Sequence, residues 1–176
     1  FDCSPQGRYH MSSACGLLDA DFRLPSLDYE DLIKAGQVLC GSPAVGKALF
    51  RRAIFNLFAC NQDDHSKNWS FLLQDDGQWR LSPGYDLTFS PGPYGEHATA
   101  FKGHGKNPPI KVVQALADQA GFTRWSEARQ VIEEVVTAIN AWDEEARALD
   151  ISPGVRREIA QQLDALQKAN RALVTG

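Results

Sequence analysis

The sequence predicts a mainly α-helical fold with one small β-hairpin. Three observations support this prediction: a helix-spaced apolar stripe from Pro43 to Cys60, further stripes toward the C-terminus, and two short strand-like segments between them. The chain has 176 residues, of which 43% are hydrophobic and 23% charged. This ordinary globular composition predicts one domain that spans residues 1–176.

The helices of the first half follow from their start and stop signals. Residues 1–25 carry Gly, Pro and Ser at irregular spacing and are predicted to be mostly loop. Residues 28–37 predict a short helix, because acidic residues occupy its first turns, where the helix dipole favours negative charge. Ser42 suits the N-cap and Pro43 the first position of the next helix, which is largely buried. Its apolar positions are Val45, Leu49, Ala53 and Leu57.

The hairpin and the loop after it come next. Trp69 to Gln74 predicts one strand, residues 75–77 (Asp-Asp-Gly) its turn, and Trp79 to Leu81 the returning strand. Pro83-Gly84 ends the hairpin. Residues 90–109 are rich in Gly and Pro, which predicts a long loop of a length that is often functional.

Helices are predicted for the rest of the chain. Residues 109–120 form one helix that Gly121 closes, and residues 126–149 form a second with an apolar stripe on one face. A third begins at Ser152-Pro153. Its stripe consists of Val155, Ile159, Leu163, Leu166 and Leu173.

Charge and cysteine usage narrow the function classes. The net charge of −4 gives no electrostatic reason to expect direct binding to nucleic acid or to an anionic membrane. The four cysteines form no C-x-x-C pair, which favours reduced thiols and a cytoplasmic protein. No apolar run approaches the roughly 18 residues that a membrane span needs.

Three polar residues form a candidate catalytic set. Asp63 follows the buried helix, Asn68 lies five residues later where the first strand begins, and Asp86 follows the returning strand. The hairpin is expected to bring Asn68 and Asp86 together. Phosphoryl transfer in kinase-like folds uses an aspartate to orient the substrate hydroxyl, and an asparagine and a second aspartate to hold magnesium. The spacing D-x-x-x-x-N is that of the protein-kinase catalytic loop. From the pattern alone, a turn with capping acids is an equally good interpretation.

Two motifs resemble those of a known family. Residues 63–68 read D-D-H-S-K-N, and residues 81–87 read L-S-P-G-Y-D-L. They resemble the catalytic loop D-x-H-x-K-N and the L-x-P-x-Y-D segment of HipA-type serine/threonine kinases, the toxins of bacterial type II toxin–antitoxin modules. Phe1-Asp2 is similar to the end of that family's R-F-D segment at the hinge between lobes. The resemblance spans nearly the whole chain and implies a protein-kinase-like large (C-terminal) lobe.

The resemblance implies a role for each matched residue. It makes Asp63 the catalytic base and makes Asn68 and Asp86 the ligands of Mg²⁺. It places ATP against the hinge at Phe1 and against four further residues. These are His65, Ser66, Lys67 and Tyr85. The implied partners are a HipB-like DNA-binding antitoxin and a protein substrate, with aminoacyl-tRNA synthetases among the family's substrates. Nucleic acid would then be bound at most indirectly.

Two features depart from the family pattern. Asp64 stands where the family often has a small residue, and a second acid beside phosphates is expected to point outward. The family's N-terminal lobe supplies a Gly-rich loop and a lysine that pairs with the nucleotide phosphates, and this chain has no G-x-G-x-x-G motif or P-loop. The chain is therefore expected to be a lobe without its nucleotide-binding partner lobe, poorly active alone.

Two other functions use the same residues. Asp63, Asp64, His65 and Asp86 could bind a divalent metal for hydrolysis, since carboxylates and imidazole suit Mn²⁺ or Zn²⁺. The second alternative function is that of a non-catalytic module that only binds an antitoxin. Such a module has no chemical need for Asp63, Asn68 and Asp86.

Other polar residues are expected to have structural or solvent-facing roles. His97 and His104 are interpreted as ordinary loop residues in the Gly/Pro-rich segment. Lys47, Arg51 and Arg52 are interpreted as the solvated face of a helix.

Overall fold

The N-terminal segment forms strands and a short helix. The structure, a computed structural model, describes residues 2–5, 7–21, 23 and 27–176. Strands β1 (Cys3–Ser4) and β2 (Gly7–Arg8) form an antiparallel pair, and β3 (His10–Ser13) leads into helix α1 (Ala14–Leu18). The prediction of a mostly irregular segment was wrong here, because β3 is stabilised by pairing with a strand about 60 residues later.

The two helices predicted next are confirmed. A two-residue strand, β4 (Leu27–Asp28), leads into α2 (Tyr29–Cys40), whose N-cap Asp28 accepts a hydrogen bond from the Glu30 N–H at 2.9 Å. Helix α3 (Pro43–Ala59) has Ser42 at its N-cap and a proline in its first turn.

The predicted hairpin is also confirmed. Strands β5 (Ser70–Leu73) and β6 (Trp79–Leu81) pair antiparallel, and β3 adds to the other side of β5, so that the sheet order is β3-β5-β6. The predicted loop 90–109 contains one further strand, β7 (Thr99–Ala100), which pairs in parallel with β4. This pairing brings residues 97–100 close to the start of α2.

The C-terminal third is helical, as predicted, with one difference. Its helices are α4 (Ile110–Gln119), α5 (Trp125–Asn140), α6 (Trp142–Ala148), α7 (Pro153–Ala169) and α8 (Ala172–Thr175). The single helix predicted for residues 126–149 is broken between α5 and α6. At the break the Ala141 N–H bonds to the Ala138 carbonyl, so the last turn of α5 tightens into a 3₁₀-type turn.

Helix α3 is the centre of the core. It packs against α2, α4, α5 and α7, and its large apolar side chains are almost completely buried. Burial of each such side chain favours folding by about 1.5–3 kcal/mol. The buried set is Leu49, Phe50, Ile54, Leu57 and Phe58. The rigid helix therefore sets the position at which the chain enters the segment after Cys60.

Among the described residues, no helix combines the length and apolar character that crossing a bilayer requires.

Candidate functional site

The candidate site is built on the Asp63 loop, residues 61–68. The loop begins after Cys60, which adopts left-handed backbone (φ 57°) and bonds its N–H to the Asn56 carbonyl at the end of α3. It ends in a short 3₁₀ turn, Ser66–Asn68, directly before β5. A buried helix and a sheet strand thus fix the two ends of the loop.

Asp63 and Asn68 are held together across this loop. The Asn68 side-chain amide donates to the Asp63 carbonyl oxygen at 2.9 Å, so its own oxygen Oδ1 is the atom suited to bind a cation. The Asp63 side chain is 61% exposed, with Nε2 of His65 at 3.9 Å from its Oδ1. Asp63 is therefore accessible to a molecule from solvent while its backbone is fixed.

Tyr85 ties the segment that carries Asp86 to the same loop. Its hydroxyl donates to the Lys67 carbonyl at 2.6 Å and also shares a hydrogen bond with the Ser70 hydroxyl. Burial raises the pKa of Tyr85 above its ordinary value, which keeps the hydroxyl protonated. Asp86 follows with left-handed backbone (φ 54°) and an exposed side chain. The tie brings the Asp86 segment against the end of the loop that carries Asn68.

The other predicted nucleotide contacts lie on the same loop. His65 is partly buried and Lys67 is exposed. The Ser66 side chain is buried and its hydroxyl donates to the Ala20 carbonyl at 3.3 Å, which joins the loop to the segment after α1. Phe1, the predicted hinge residue, lies outside the described residues.

Asp64 does not point outward, and that prediction was wrong. Its side chain is completely buried, and its carboxylate accepts hydrogen bonds from three groups: the Tyr29 hydroxyl, Nδ1 of His97 at 2.9 Å and the Thr99 N–H at 3.0 Å. Its backbone carbonyl accepts from the Trp69 indole N–H at 3.1 Å and from the Thr99 hydroxyl. These partners satisfy the hydrogen-bonding groups of Asp64, as burial of a polar side chain requires.

The Asp64 contacts extend into a buried polar network. Asn56 donates to the Tyr29 hydroxyl at 3.0 Å, and Asn61 donates to the Asn56 side-chain oxygen at 2.9 Å. Burial, with a further contribution from the neighbouring Asp64 charge, raises the pKa of Tyr29 well above its ordinary value. The network joins the start of α2, the interior of α3 and the Asp63 loop. The sequence around Tyr29, Asn56 and Thr99 carries no motif that would have identified them as members of this network.

His97 is not an ordinary loop residue, contrary to the prediction. Its side chain is 1% exposed and its ring lies edge-on to Phe101, with centroids 5.6 Å apart. Its Nδ1 atom faces the Asp64 carboxylate at 2.9 Å. Within the described part of the chain, no polar atom is hydrogen-bonded to Nε2 of His97.

Arg52 is also more deeply placed than predicted. It extends from α3 to donate to the Ser82 carbonyl, just before the Tyr85-Asp86 segment. Burial lowers the pKa of its guanidinium. This hydrogen bond therefore attaches the end of the hairpin to α3.

The surroundings of Asp64 weigh against the hydrolase alternative. That set of ligands required Asp64 beside Asp63, His65 and Asp86. The Asp64 carboxylate is instead buried and hydrogen-bonded to Tyr29, His97 and Thr99. Among the described residues, no group of three or more His, Cys, Asp or Glu side chains is arranged to hold a metal ion.

Comparison with known proteins places the chain in a family. The family model described as HipA-like C-terminal domain matches residues 1–142. The chain belongs to the family of HipA-like C-terminal domains. The resemblance to HipA-type toxins predicted from residues 63–68 and 81–87 is therefore confirmed. No curated protein sequence matches the chain.

Solved structures contain the same fold. One similar chain comes from the structure described as the Shewanella oneidensis MR-1 toxin–antitoxin system HipA, HipB and its operator DNA complex. The two chains have a TM-score of 0.67 and 19% sequence identity. The match covers 99% of this chain and 46% of that one, so this chain spans about half the length of its structural relative.

Proposed function

We propose that this chain is the protein-kinase-like large lobe of a serine/threonine protein kinase that uses ATP and Mg²⁺. The observation that carries the proposal is the tie from the Tyr85 hydroxyl to the Lys67 carbonyl. It joins the loop that carries Asp63 and Asn68 to the segment that carries Asp86. Phosphoryl transfer depends on positioning and charge stabilisation more than on covalent chemistry by the protein, so a fixed set of this composition suits it.

The oxygen atoms at the site suit Mg²⁺. The Asn68 amide group uses its nitrogen internally, which leaves a carbonyl oxygen for a cation, and the exposed Asp86 supplies a carboxylate. Hard oxygen ligands of this kind are the ones that Mg²⁺ prefers. In this proposal His65, Lys67 and Tyr85 line the nucleotide, Ser66 holds the loop shape around it, and Phe1 meets adenine at the hinge.

Asp63 has the properties of the residue that orients the acceptor. Its carboxylate is exposed while its backbone carbonyl is held by Asn68. When the acceptor hydroxyl attacks the γ-phosphorus, Asp63 accepts the hydroxyl proton. The bond from that phosphorus to the bridging oxygen breaks. Mg-ATP supplies the phosphoryl group, and ADP leaves.

Partners follow from the family and from the structural relative. The relative is described as a complex of HipA with HipB and operator DNA. We infer a HipB-like DNA-binding antitoxin as partner of the complete protein, with contact to nucleic acid only through that antitoxin. The acceptor is a protein hydroxyl, with aminoacyl-tRNA synthetases as candidate substrates. A separate N-terminal lobe supplies the Gly-rich loop and the lysine, and the complete protein acts in the cytoplasm.

The test compares the complete protein with its Asp63→Ala variant. Labelled ATP and Mg²⁺ are supplied, and transfer to serine or threonine is measured. We expect the variant to lose about 100-fold or more of the transfer rate, because positioned acid–base groups contribute about 10²–10⁴-fold. Asp75→Ala removes an exposed acid from the hairpin turn and serves as the matched control.

The outcome also distinguishes the alternatives. Transfer that needs both ATP and Mg²⁺ and disappears with Asp63 supports the kinase proposal. Hydrolysis that needs a metal but no nucleotide would support the hydrolase instead. If the complete wild-type protein binds an antitoxin but neither binds nor uses Mg-ATP, the lobe is a non-catalytic binding module.

A further inference from the structure

A cleft of about 440 Å³ lies beside Asp63. One wall is formed by the Asp63 loop, and the other by residues 90–98, which we call the Tyr94 loop. Asp63, His65, Tyr94 and Glu96 contribute to the lining. The cleft therefore includes the residue to which the proposed function assigns the acceptor hydroxyl.

The Tyr94 loop is fixed to the residue next to Asp63. Gln62 is 5% exposed and uses all four of its polar groups on this loop. Its backbone N–H donates to the Ser90 carbonyl at 2.9 Å, and its carbonyl accepts from the Ala98 N–H at 3.0 Å. Its side chain accepts from the Gly92 N–H at 2.8 Å and donates to the Gly95 carbonyl at 3.0 Å. The second wall is thus positioned by the same backbone that positions Asp63.

Close packing inside the loop keeps this wall in one shape. A Cβ atom on Gly92 would lie 2.3 Å from the Glu96 carbonyl oxygen, so only glycine fits there. The Glu96 N–H bonds back to the Pro93 carbonyl at 3.2 Å.

Tyr94 occupies an unusual position in this fixed loop. It adopts left-handed backbone (φ 60°, ψ 13°), which is uncommon for a residue with a bulky side chain. The residue is also 91% exposed. The Lys106 ammonium donates to its carbonyl at 3.3 Å. Burial of the Tyr94 side chain in the core therefore does not offset the strain of its backbone. Strained residues concentrate at functional sites, and exposed tyrosines are enriched where proteins bind proteins.

The charge of the cleft favours a basic partner. Its charged lining residues are Asp63, Glu96 and Arg23. The Arg23 guanidinium lies 3.8 Å from the Asp21 carboxylate, and Glu96 lies 3.8 Å from the Lys106 ammonium with about half of its side chain exposed. The Glu96–Lys106 pair is long and solvated, so the Glu96 carboxylate remains able to attract a cationic side chain.

We propose that this cleft binds the acceptor segment of a protein substrate. The segment places a serine or threonine hydroxyl at Asp63, a lysine or arginine near Glu96, and an apolar group against the Tyr94 ring. This inference rests on the proposed kinase function and adds the binding surface and the sequence class of the substrate.

The test uses the complete protein and a synthetic peptide library with one fixed serine or threonine and degenerate flanking positions. We expect the wild type to select lysine or arginine near the acceptor, and Glu96→Gln to lose that selection. Tyr94→Ala is expected to raise the KM for the selected peptide at least about tenfold. Its KM for ATP should stay within about twofold, because the tyrosine lies on the acceptor wall. Tyr94→Phe keeps the ring and should stay near wild type.

Leu149→Ala provides a remote control, since Leu149 is 73% exposed and lies between α6 and α7. An equal peptide KM for Tyr94→Ala and wild type would overturn the inference, as would selection of acidic flanking residues. Wild-type protein that hydrolyses Mg-ATP but phosphorylates no library peptide would also overturn it. A wild-type protein without any use of Mg-ATP would instead contradict the proposed function itself.

Discussion

Two adjacent aspartates, Asp63 and Asp64, have opposite surroundings. The Asp63 side chain is 61% exposed, whereas that of Asp64 is fully buried. Three donors from distant parts of the chain hold the Asp64 carboxylate, and they come from Tyr29, His97 and Thr99. Fixing one residue so firmly also fixes the backbone of its neighbour. Asp64 therefore orients the loop from inside, and Asp63 presents a carboxylate outside.

Removal of the Tyr29 hydroxyl tests the buried network. We expect Tyr29→Phe to lower the free energy of unfolding at pH 7 by about 1–3 kcal/mol, because it removes one of the three donors to the Asp64 carboxylate and the acceptor of the Asn56 amide. The raised pKa of Tyr29 means that its contribution is complete below the ordinary tyrosine value of 10.0 and is lost as pH rises through the folded pKa. The difference between variant and wild type should therefore narrow above pH 10, as measured by urea denaturation across pH.

Tyr94→Phe is the matched control, since that hydroxyl belongs to a residue that is 91% exposed. It should leave stability within about 0.5 kcal/mol of wild type. A similar loss of stability in both variants, or a constant difference for Tyr29→Phe up to high pH, would contradict this account of the network.

At the scale of elements, three helices meet at Gly46. This glycine lies in α3, and a Cβ atom there would come within 2.7 Å of the Ala120 carbonyl oxygen after α4 and within 2.3 Å of the Gln37 amide in α2. The same Gln37 amide donates to the Gln119 carbonyl at 3.1 Å. The absence of a side chain lets α2, α3 and the end of α4 approach closely, which sets the direction in which α3 delivers the Asp63 loop.

Gly46→Ala tests this close approach. The added methyl group meets a backbone carbonyl that cannot rotate away, so we expect a loss of about 1–3 kcal/mol in the free energy of unfolding. Gly154→Ala is the control, because Gly154 lies in α7 with open space at its Cβ position. It should be neutral or stabilising by up to about 1 kcal/mol. Denaturant unfolding of both variants measures the difference, and equal stabilities would refute the packing argument.

The elements differ in how much of them the sequence could predict. The starts of α2 and α3, with Asp28, Ser42 and Pro43, follow local rules and were predicted correctly. The hairpin turn at residues 75–77 is local as well. Strand β3 depends on pairing with β5, and α6, which follows the break at Ala141, packs on α7. Such long-range effects leave little trace in a short stretch of sequence.

In the molecule as a whole, the candidate site also combines local features, which the sequence predicts, with long-range contacts, which it does not. The spacing of Asp63, Asn68 and Asp86 lies within two short motifs, so the candidate set could be identified from sequence. The partners of Asp64 lie 33–35 residues away on either side, in α2 and in the segment around β7. The parallel pairing of β4 with β7 and the backbone bonds of Gln62 to Ser90 and Ala98 bring them together. Asp64 was predicted to point into solvent because a like charge beside phosphates is unfavourable, but its side chain is turned away from the site toward Tyr29, His97 and Thr99.

The elements of the fold together position the candidate site. Helix α3 and the β5–β6 hairpin hold the two ends of the Asp63 loop, Tyr85 attaches the Asp86 segment, and Gln62 attaches the Tyr94 loop. In the proposed function, Asp63 acts on the substrate while Asp64 holds the loop in place. Because the two residues are adjacent and chemically identical, the same substitution at each position separates the roles.

The most direct test measures phosphotransfer and melting temperature for Asp63→Asn and Asp64→Asn in the complete protein. Asp63→Asn should lose about 100-fold or more of the transfer rate with an unchanged melting temperature, because its side chain is exposed. Asp64→Asn should lower the melting temperature by about 5 °C or more, because the Asn amide cannot accept from Tyr29, His97 and Thr99 together and leaves buried polar groups unpaired at a cost of about 1–3 kcal/mol. Full transfer by Asp63→Asn, or equal destabilisation by the two variants, would contradict these separate roles of Asp63 and Asp64.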